Sequence, residues 1–350
     1  MTSRPASPHT IVIRCPNWVG DVVMATPAFA CLRANFPEAH IVAVIRTYAR
    51  GVIADGPWFD QILTCDDKSW AGFWALCREI RALRADMAVL FTHSIRSKLT
   101  FFLSGAKNRL GHRRGGANFL LTDGPLPART GRKFSPVPMA QYYLELCRFL
   151  GLALPAAPKP ELFLSPEVAA QGDRLLAKYG IRPGDLVIGL NPGAKFGSSK
   201  CWPPGHFARL IELFTEHNSA AKLLLLIGPG EEAIAEAITR ATGAPFINTA
   251  ADKIDLATLK AIVKRCQLLV TNDTGTRHYA VAFDVPTVVI MGPTDPGHTA
   301  ANLEKSVVLR KDLDCSPCHL PLCPKNHECM TQIHPDEVFA ASRDLLRPPC

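Results

Sequence analysis

The chain has 350 residues, 47% hydrophobic and 20% charged, with 39 Lys and Arg against 31 Asp and Glu for a formal charge of +8. That length favours two domains over one, and the apolar share excludes a disordered chain. No run approaches the ~18–20 apolar residues of a membrane span. The polar start lacks the apolar centre of a secretion signal, and the scattered basic residues form no basic-aromatic platform for nucleic acid. A cytoplasmic protein with anionic partners is expected, with its twelve cysteines mostly reduced.

In chain order, the pattern predicts strands at 10–14, 39–45, 60–64, 86–91 and 107–111, and helices running to about 35, then at 70–84, 94–104 and 139–150. Residues 112–138, rich in Gly, Arg and Pro, read as a long loop, which is more often functional than core. A Pro-rich connector covers 153–166 and stiffens the link between two domains. The second series has strands at 186–190, 222–227, 245–247, 268–271, 287–291 and 306–309. Its helices fall at 166–179, 204–217, 231–241, 255–265 and 275–284. A last helix at 335–346 is expected to pack back on the first domain. The domains are drawn as 1–160 and 161–334, plus this tail. Alternation of this kind implies an α/β fold with parallel sheets, and ligands beyond the carboxyl ends of the strands.

Four loops carry chemistry. Pro16-Asn17-Trp18-Val19-Gly20-Asp21 follows the first strand, and Asp21 reads as a first-turn residue or as a general base. The loop 191–203 holds Gly193 and Gly197 with Lys195, Lys200, Ser198 and Ser199, a set suited to phosphate but without P-loop spacing. In Gly228-Pro229-Gly230-Glu231-Glu232 the acids accept ribose hydroxyls or complement a helix dipole. Asn272-Asp273-Thr274-Gly275 opens a helix that carries His278. It reads either as a plain helix cap or as N–H groups for phosphate beside a carboxylate for sugar. Cys315, Cys318, Cys323 and Cys329 are numerous enough for a structural zinc, but their second pair is irregular. No catalytic metal is expected.

Together the segments 16–24, 191–203, 272–278 and 292–296, with the cysteine tail 315–329, resemble the lipopolysaccharide heptosyltransferases, glycosyltransferase family 9. The resemblance implies a GT-B fold of two Rossmann-like domains facing a cleft, with an ADP-heptose donor and an anionic lipopolysaccharide inner-core acceptor. It implies Asp21 as catalytic base and Lys200 as the lysine on the leaving diphosphate. Asp273 would lie near the donor heptose, Thr274 and Gly275 at the diphosphate, and His278 one turn on. Asn17, Trp18, Arg113 and Arg114 are assigned to the acceptor, with Arg129, Arg132 and Lys133 as further basic candidates. No cofactor is required by this resemblance, and magnesium is not indicated. Peripheral contact with the inner membrane is expected. A different acceptor, or a nucleotide-sugar-binding protein without turnover, is the alternative.

Overall fold

The computed structural model describes residues 8–66, 69–131 and 133–347, with the backbone alone at Lys133. Arg132, named above among the basic candidates, and Cys350, one of the twelve cysteines, lie outside the described residues. The chain divides after Phe163 into two units, with Gly297–Thr299 grouped with the first.

The first unit holds five parallel strands: β1 (Thr10–Arg14), β2 (His40–Arg46), β3 (Gln61–Cys65), β4 (Met87–Leu90) and β5 (Asn108–Gly111), in the order β3-β2-β1-β4-β5. β1, β2 and β4 are buried almost throughout, as parallel strands covered on both faces must be. A single helix was expected up to residue 35. Instead the helix is cut at Ala25 into α1 (Val19–Met24) and α2 (Thr26–Asn35). Pro27 stands in the first turn of α2 and has no N–H to continue α1. A short helix α3 (Arg50–Ile53) follows β2. Ser69 and Ser94 cap α4 (Trp70–Ala82) and α5 (Ile95–Leu103) by accepting from Gly72 N and Ser97 N. The loop after β5 is less irregular than its composition suggests. It holds a 3-10 turn at Asn118–Leu120 and a small hairpin, β6 (Arg129–Thr130) with β7 (Lys133–Phe134), before α6 (Met139–Phe149). Val12, Val44 and Leu90 of the sheet pack with Leu76, Ile80 and Phe101 of α4 and α5.

The second unit opens with α7 (Pro166–Lys178). Six parallel strands follow: β8 (Val187–Asn191), β9 (Lys222–Leu225), β10 (Ile247–Asn248), β11 (Leu268–Asn272), β12 (Thr287–Ile290) and β13 (Ser306–Leu309). Their order is β10-β9-β8-β11-β12-β13, with α8 (Pro204–His217), α9 (Glu232–Ala241), α10 (Leu256–Arg265) and α11 (Gly275–Ala282) between them. In each unit the strand order reverses beside its first strand, between β1 and β4 and between β8 and β11. Such switch points open a crevice at the carboxyl ends. After β13 come a short helix α12 (Glu328–Thr331) and α13 (Pro335–Leu346). This last helix packs on the second unit's own core. Val338 lies in the second unit's core with Phe214 and Met330, and Phe339 meets the Phe214 ring edge-on at 5.3 Å. The apolar side of α13 packs on α8.

Candidate active site

At the second switch point, β8 ends on Asn191 and its neighbour β11 on Asn272. Both side chains stitch loops together. Asn191 Oδ1 accepts from Thr271 Oγ1 (3.2 Å) and Thr274 Oγ1 (3.1 Å). Asn272 Oδ1 accepts from Trp202 N (3.1 Å), and its Nδ2 donates to Pro192 O (2.6 Å). The loop 192–203 is thereby held against the start of α11.

Asp273 sits at the centre of this knot and is buried. Its Oδ2 accepts from Lys200 Nζ (2.7 Å) and Thr294 Oγ1 (2.7 Å), and its Oδ1 from Arg277 (2.9 Å). Lys200 Nζ also donates to the Asp273 carbonyl at 3.0 Å. Burial alone would raise the carboxyl's pKa, but Lys200 and Arg277 overcome it and hold the group ionised well below the usual range. Lys200 and Arg277 both lie on this one carboxylate, beside the start of α11. Thr274 is the N-cap residue, yet its hydroxyl turns to Asn191 and makes no cap bond. The N–H groups of the first turn, opened by Gly275, are therefore not satisfied by their own cap side chain. The arrangement suits a diphosphate. His278, one turn into α11, is held neutral, its pKa lowered to about 3 by burial and by Arg277.

The other predicted donor residues divide. Lys195 and Ser198 are exposed on the loop. Ser199, assigned to the ligand from sequence, is corrected: it is buried, and its hydroxyl donates to Leu320 O at 2.6 Å. Its N–H donates to Pro321 O (3.1 Å), and its carbonyl meets His327 Nε2 (2.7 Å). The cysteine segment thus braces the turn that carries Lys200, and a Cβ on Gly197 would lie 2.2 Å from Pro321 O. Among the described residues, no three His, Cys, Asp or Glu side chains come together as metal ligands. Cys315, Cys318, Cys323 and Cys329 carry free thiols, with Cys329 pushed up to about 11 by burial and by the other three. Glu231 stands at the N-cap of α9 but makes no side-chain cap bond; its carboxylate closes the preceding turn by accepting from Gly228 N at 2.8 Å, and it abuts Gly193, where a Cβ would fall 1.9 Å from the carboxylate. Burial raises its pKa. Glu232 is exposed and accepts from Gly230 N (3.2 Å).

In the first unit, Asp21 lies in the first turn of α1, and its Oδ1 accepts from the Tyr143 hydroxyl at 2.8 Å. Burial, reinforced by the Asp21 charge, keeps the Tyr143 phenol protonated far above its ordinary pKa. Asn17 does not present its amide oxygen freely, because Arg14 donates to it at 2.9 Å, while Trp18 is exposed. Arg113 faces Asp123 at 3.5 Å, and the Arg114 guanidinium lies 4.3 Å from the centre of the Phe134 ring. Sequence reasoning missed a buried polar cluster in the same unit. His93 follows β4, His112 follows β5, and Tyr142 on α6 stacks on His112 at 3.7 Å. Thr92 Oγ1 and the Nδ1 atoms of His93 and His112 are buried without a partner. Desolvation lowers both imidazoles to about 4, so they are neutral at pH 7 and could meet hydroxyl groups. Their position just past the carboxyl ends of two adjacent strands was the available signal.

The profile of glycosyltransferase family 9 (heptosyltransferase) matches residues 73–328, nearly three-quarters of the chain. The chain belongs to that family. The lipooligosaccharide heptosyltransferase 2 of Campylobacter jejuni is 25% identical over 346 residues, covering 96% of this chain and 98% of that one. Its Haemophilus influenzae counterpart is 28% identical over 86% of this chain and 88% of that one. The solved structure of Escherichia coli ADP-heptose lps heptosyltransferase II superposes with a TM-score of 0.79 at 24% identity, covering 96% and 98% of the two chains. As a family 9 glycosyltransferase the chain has the GT-B fold, and each Rossmann-like unit carries its loops at the carboxyl ends of a parallel sheet. Among the described residues, no helix is long and apolar enough to cross a membrane.

Proposed function

We propose that this glycosyltransferase moves L-glycero-D-manno-heptose from ADP-heptose to the first heptose of the lipopolysaccharide inner core, with inversion at the anomeric carbon. The observation that carries the donor half is the Lys200–Asp273–Arg277 cluster at the β8/β11 switch point, beside a helix start whose N-cap side chain makes no cap bond. The choice of acceptor rests on relatives named heptosyltransferase 2 that match nearly end to end.

In this reading Asp21 takes the proton from the acceptor hydroxyl, oriented by Tyr143. Lys200 has one ammonium N–H beyond the two it gives to Asp273. With Lys195 and the first turn of α11, that N–H stabilises the departing ADP. Asp273 chiefly positions Lys200 and Arg277, and the sugar meets whatever edge of the carboxylate remains. Fixed protein cations supply the charge, so the reaction is read as independent of magnesium. Asn17, Trp18, Arg113, Arg114 and the His93–His112 cluster serve the acceptor. The protein works in the cytoplasm against the inner face of the inner membrane, where a lipid-linked acceptor is met.

The test is transfer from ADP-heptose to truncated acceptors that carry one heptose or none. Product with the one-heptose acceptor alone, read by mass, supports the proposal; product with the heptose-free acceptor alone assigns the chain to heptosyltransferase I. Asp21→Asn should lower turnover by about 10²–10⁴-fold with ADP affinity kept, and wild-type turnover in that variant would remove Asp21 from the role.

A further inference from the structure

Charge is unevenly shared between the two units. Residues 1–163 carry 20 Lys and Arg against 11 Asp and Glu, a balance of +9, whereas residues 164–350 carry 19 against 20. The first unit therefore holds the whole positive excess. It also holds nine of the eleven large apolar side chains that stand exposed among the described residues.

Several of these nine fall on one face. The chain runs from β3 to β4 to β5 in one direction across the sheet, so right-handed crossovers put α4 and α5 on the same side. They lie side by side: Arg96 donates to Ser69 O (2.7 Å) at one end, and Arg81 donates to Leu103 O at the other. Phe73, Leu76, Cys77 and Ile80 fill the inner side of α4. Its outer side presents Trp70 and Trp74, 69% and 52% exposed, with Arg78 and Arg81 continuing the same stripe at helical spacing. The outer side of α5 presents Ile95, Leu99 and Phe102, spaced i, i+4, i+7. Lys98 ties the adjoining turn to α5 through Arg114 O, Gly116 O and Asn118 Oδ1, and that turn projects Phe119, 84% exposed. Guanidinium groups lie on the aromatic rings: Arg96 is 5.4 Å from the Trp70 ring centre, and Arg109 is 5.3 Å from that of Phe102. Between residues 69 and 114 there are nine Lys and Arg against only Glu79 and Asp86. Asp86 is engaged by Lys107 and by the backbone before β1.

The geometry points to this α4–α5 face as the surface by which the first unit docks on an anionic phospholipid bilayer. Tryptophan, phenylalanine and isoleucine on a short outward stripe reach the interfacial depth of a membrane, and flanking arginines attract anionic headgroups. Charge complementarity selects this occupant: a second copy of the chain would bring two strongly positive faces together. The N-terminal ends of α4 and α5 lie at the carboxyl edge of the sheet, the edge that also carries Asp21. A membrane under this face would deliver a lipid-linked acceptor to that edge. The inference rests on the proposed reading of the acceptor as lipid-linked.

The test uses the full chain in vesicle flotation, with vesicles of phosphatidylcholine alone or with about one third phosphatidylglycerol. The wild type should float with the anionic vesicles only, and binding should fall at least tenfold between about 0.05 M and 1 M salt. W74A/F102A and, separately, R78E should each weaken flotation about tenfold or more. Transfer to a deacylated, water-soluble acceptor should stay at the wild-type level in both variants, which also shows that they fold. Absence of wild-type flotation, equal binding to neutral vesicles, or undiminished flotation of W74A/F102A would each overturn the docking surface. A vesicle-free dimer abolished by W74A/F102A would reassign the face to self-association. Flotation as expected with no heptose transfer by the wild type would leave the docking surface standing and remove the proposed function instead.

Discussion

Asp273 shows how one residue changes meaning between sequence and structure. In the sequence it is a carboxylate after a strand, and sugar binding is a natural role for it. In the structure both its oxygens are already taken, by Lys200, Thr294 and Arg277. Its first task is to keep two cations together. Asp273→Asn should leave those cations buried without their counter-ion, costing about 3–5 kcal/mol of stability, read as a lowered midpoint in urea. Because the folded pKa is depressed, the stabilisation is present above the unfolded carboxylate range and is lost only as pH falls through the folded value. Tyr143 gives the complementary case at the other carboxylate. Tyr143→Phe removes one hydrogen bond to Asp21, worth about 0.5–1.5 kcal/mol. Turnover should fall by up to about tenfold, with the KM for ADP-heptose unchanged. A raised KM with intact turnover would show that Tyr143 serves binding rather than the base. No spacing in the sequence links positions 21 and 143, since α6 reaches Asp21 only through the fold.

Helices and strands were legible because their patterns are local. The buried runs of β1, β8 and β11 and the serine caps of α4 and α5 stand in the sequence as they stand in the fold. Errors arose where a local rule met a second constraint, as at Pro27, which divides the first helix. Loops were read less well because their partners lie far along the chain. Ser199 looks like a phosphate donor until Leu320 and His327 are beside it. Glu231 likewise reads as a ribose ligand until Gly228 and Gly193 close around it. This sets a test for the loop. Gly193→Ala should push Glu231 or its own loop aside and weaken ADP binding about tenfold or more, as a strained backbone does. G193A/E231A should regain most of that loss if Glu231 only braces the Gly228 turn, because the clash has gone. If Glu231 holds ribose, ADP affinity by calorimetry will stay low in the double variant.

At the scale of the molecule, burial lowers four histidines: His93 and His112 to about 4, His278 to about 3, and His206 in the same direction. All four titrate near 6.5 when unfolded, so the unfolded chain binds more protons as pH falls below that value. Stability is therefore full above about pH 6.5 and declines toward about pH 4, with each histidine contributing up to about 1.4 kcal/mol per pH unit inside that window. Thermal melts between pH 7 and pH 4 should show this fall, and H112Q/H278Q should flatten it. An unchanged slope in that variant would mean that carboxylates carry the acid sensitivity.

The alternation of strands and helices, the two-domain plan, the family and the loops that bear charge all follow from the sequence by itself. Each depends on residues close in the chain or on motifs in a fixed order. Only the tertiary structure decided which of those loop residues face one another. It paired Asp273 with both Lys200 and Arg277, gave Ser199 to the cysteine segment and kept α13 in the second unit. It also gathered the aromatic and basic residues of α4 and α5 onto one outward face. The physical reason is common to all four. Burial and long-range hydrogen bonding are properties of neighbours in space, and parallel strands bring together segments that the sequence holds many tens of residues apart.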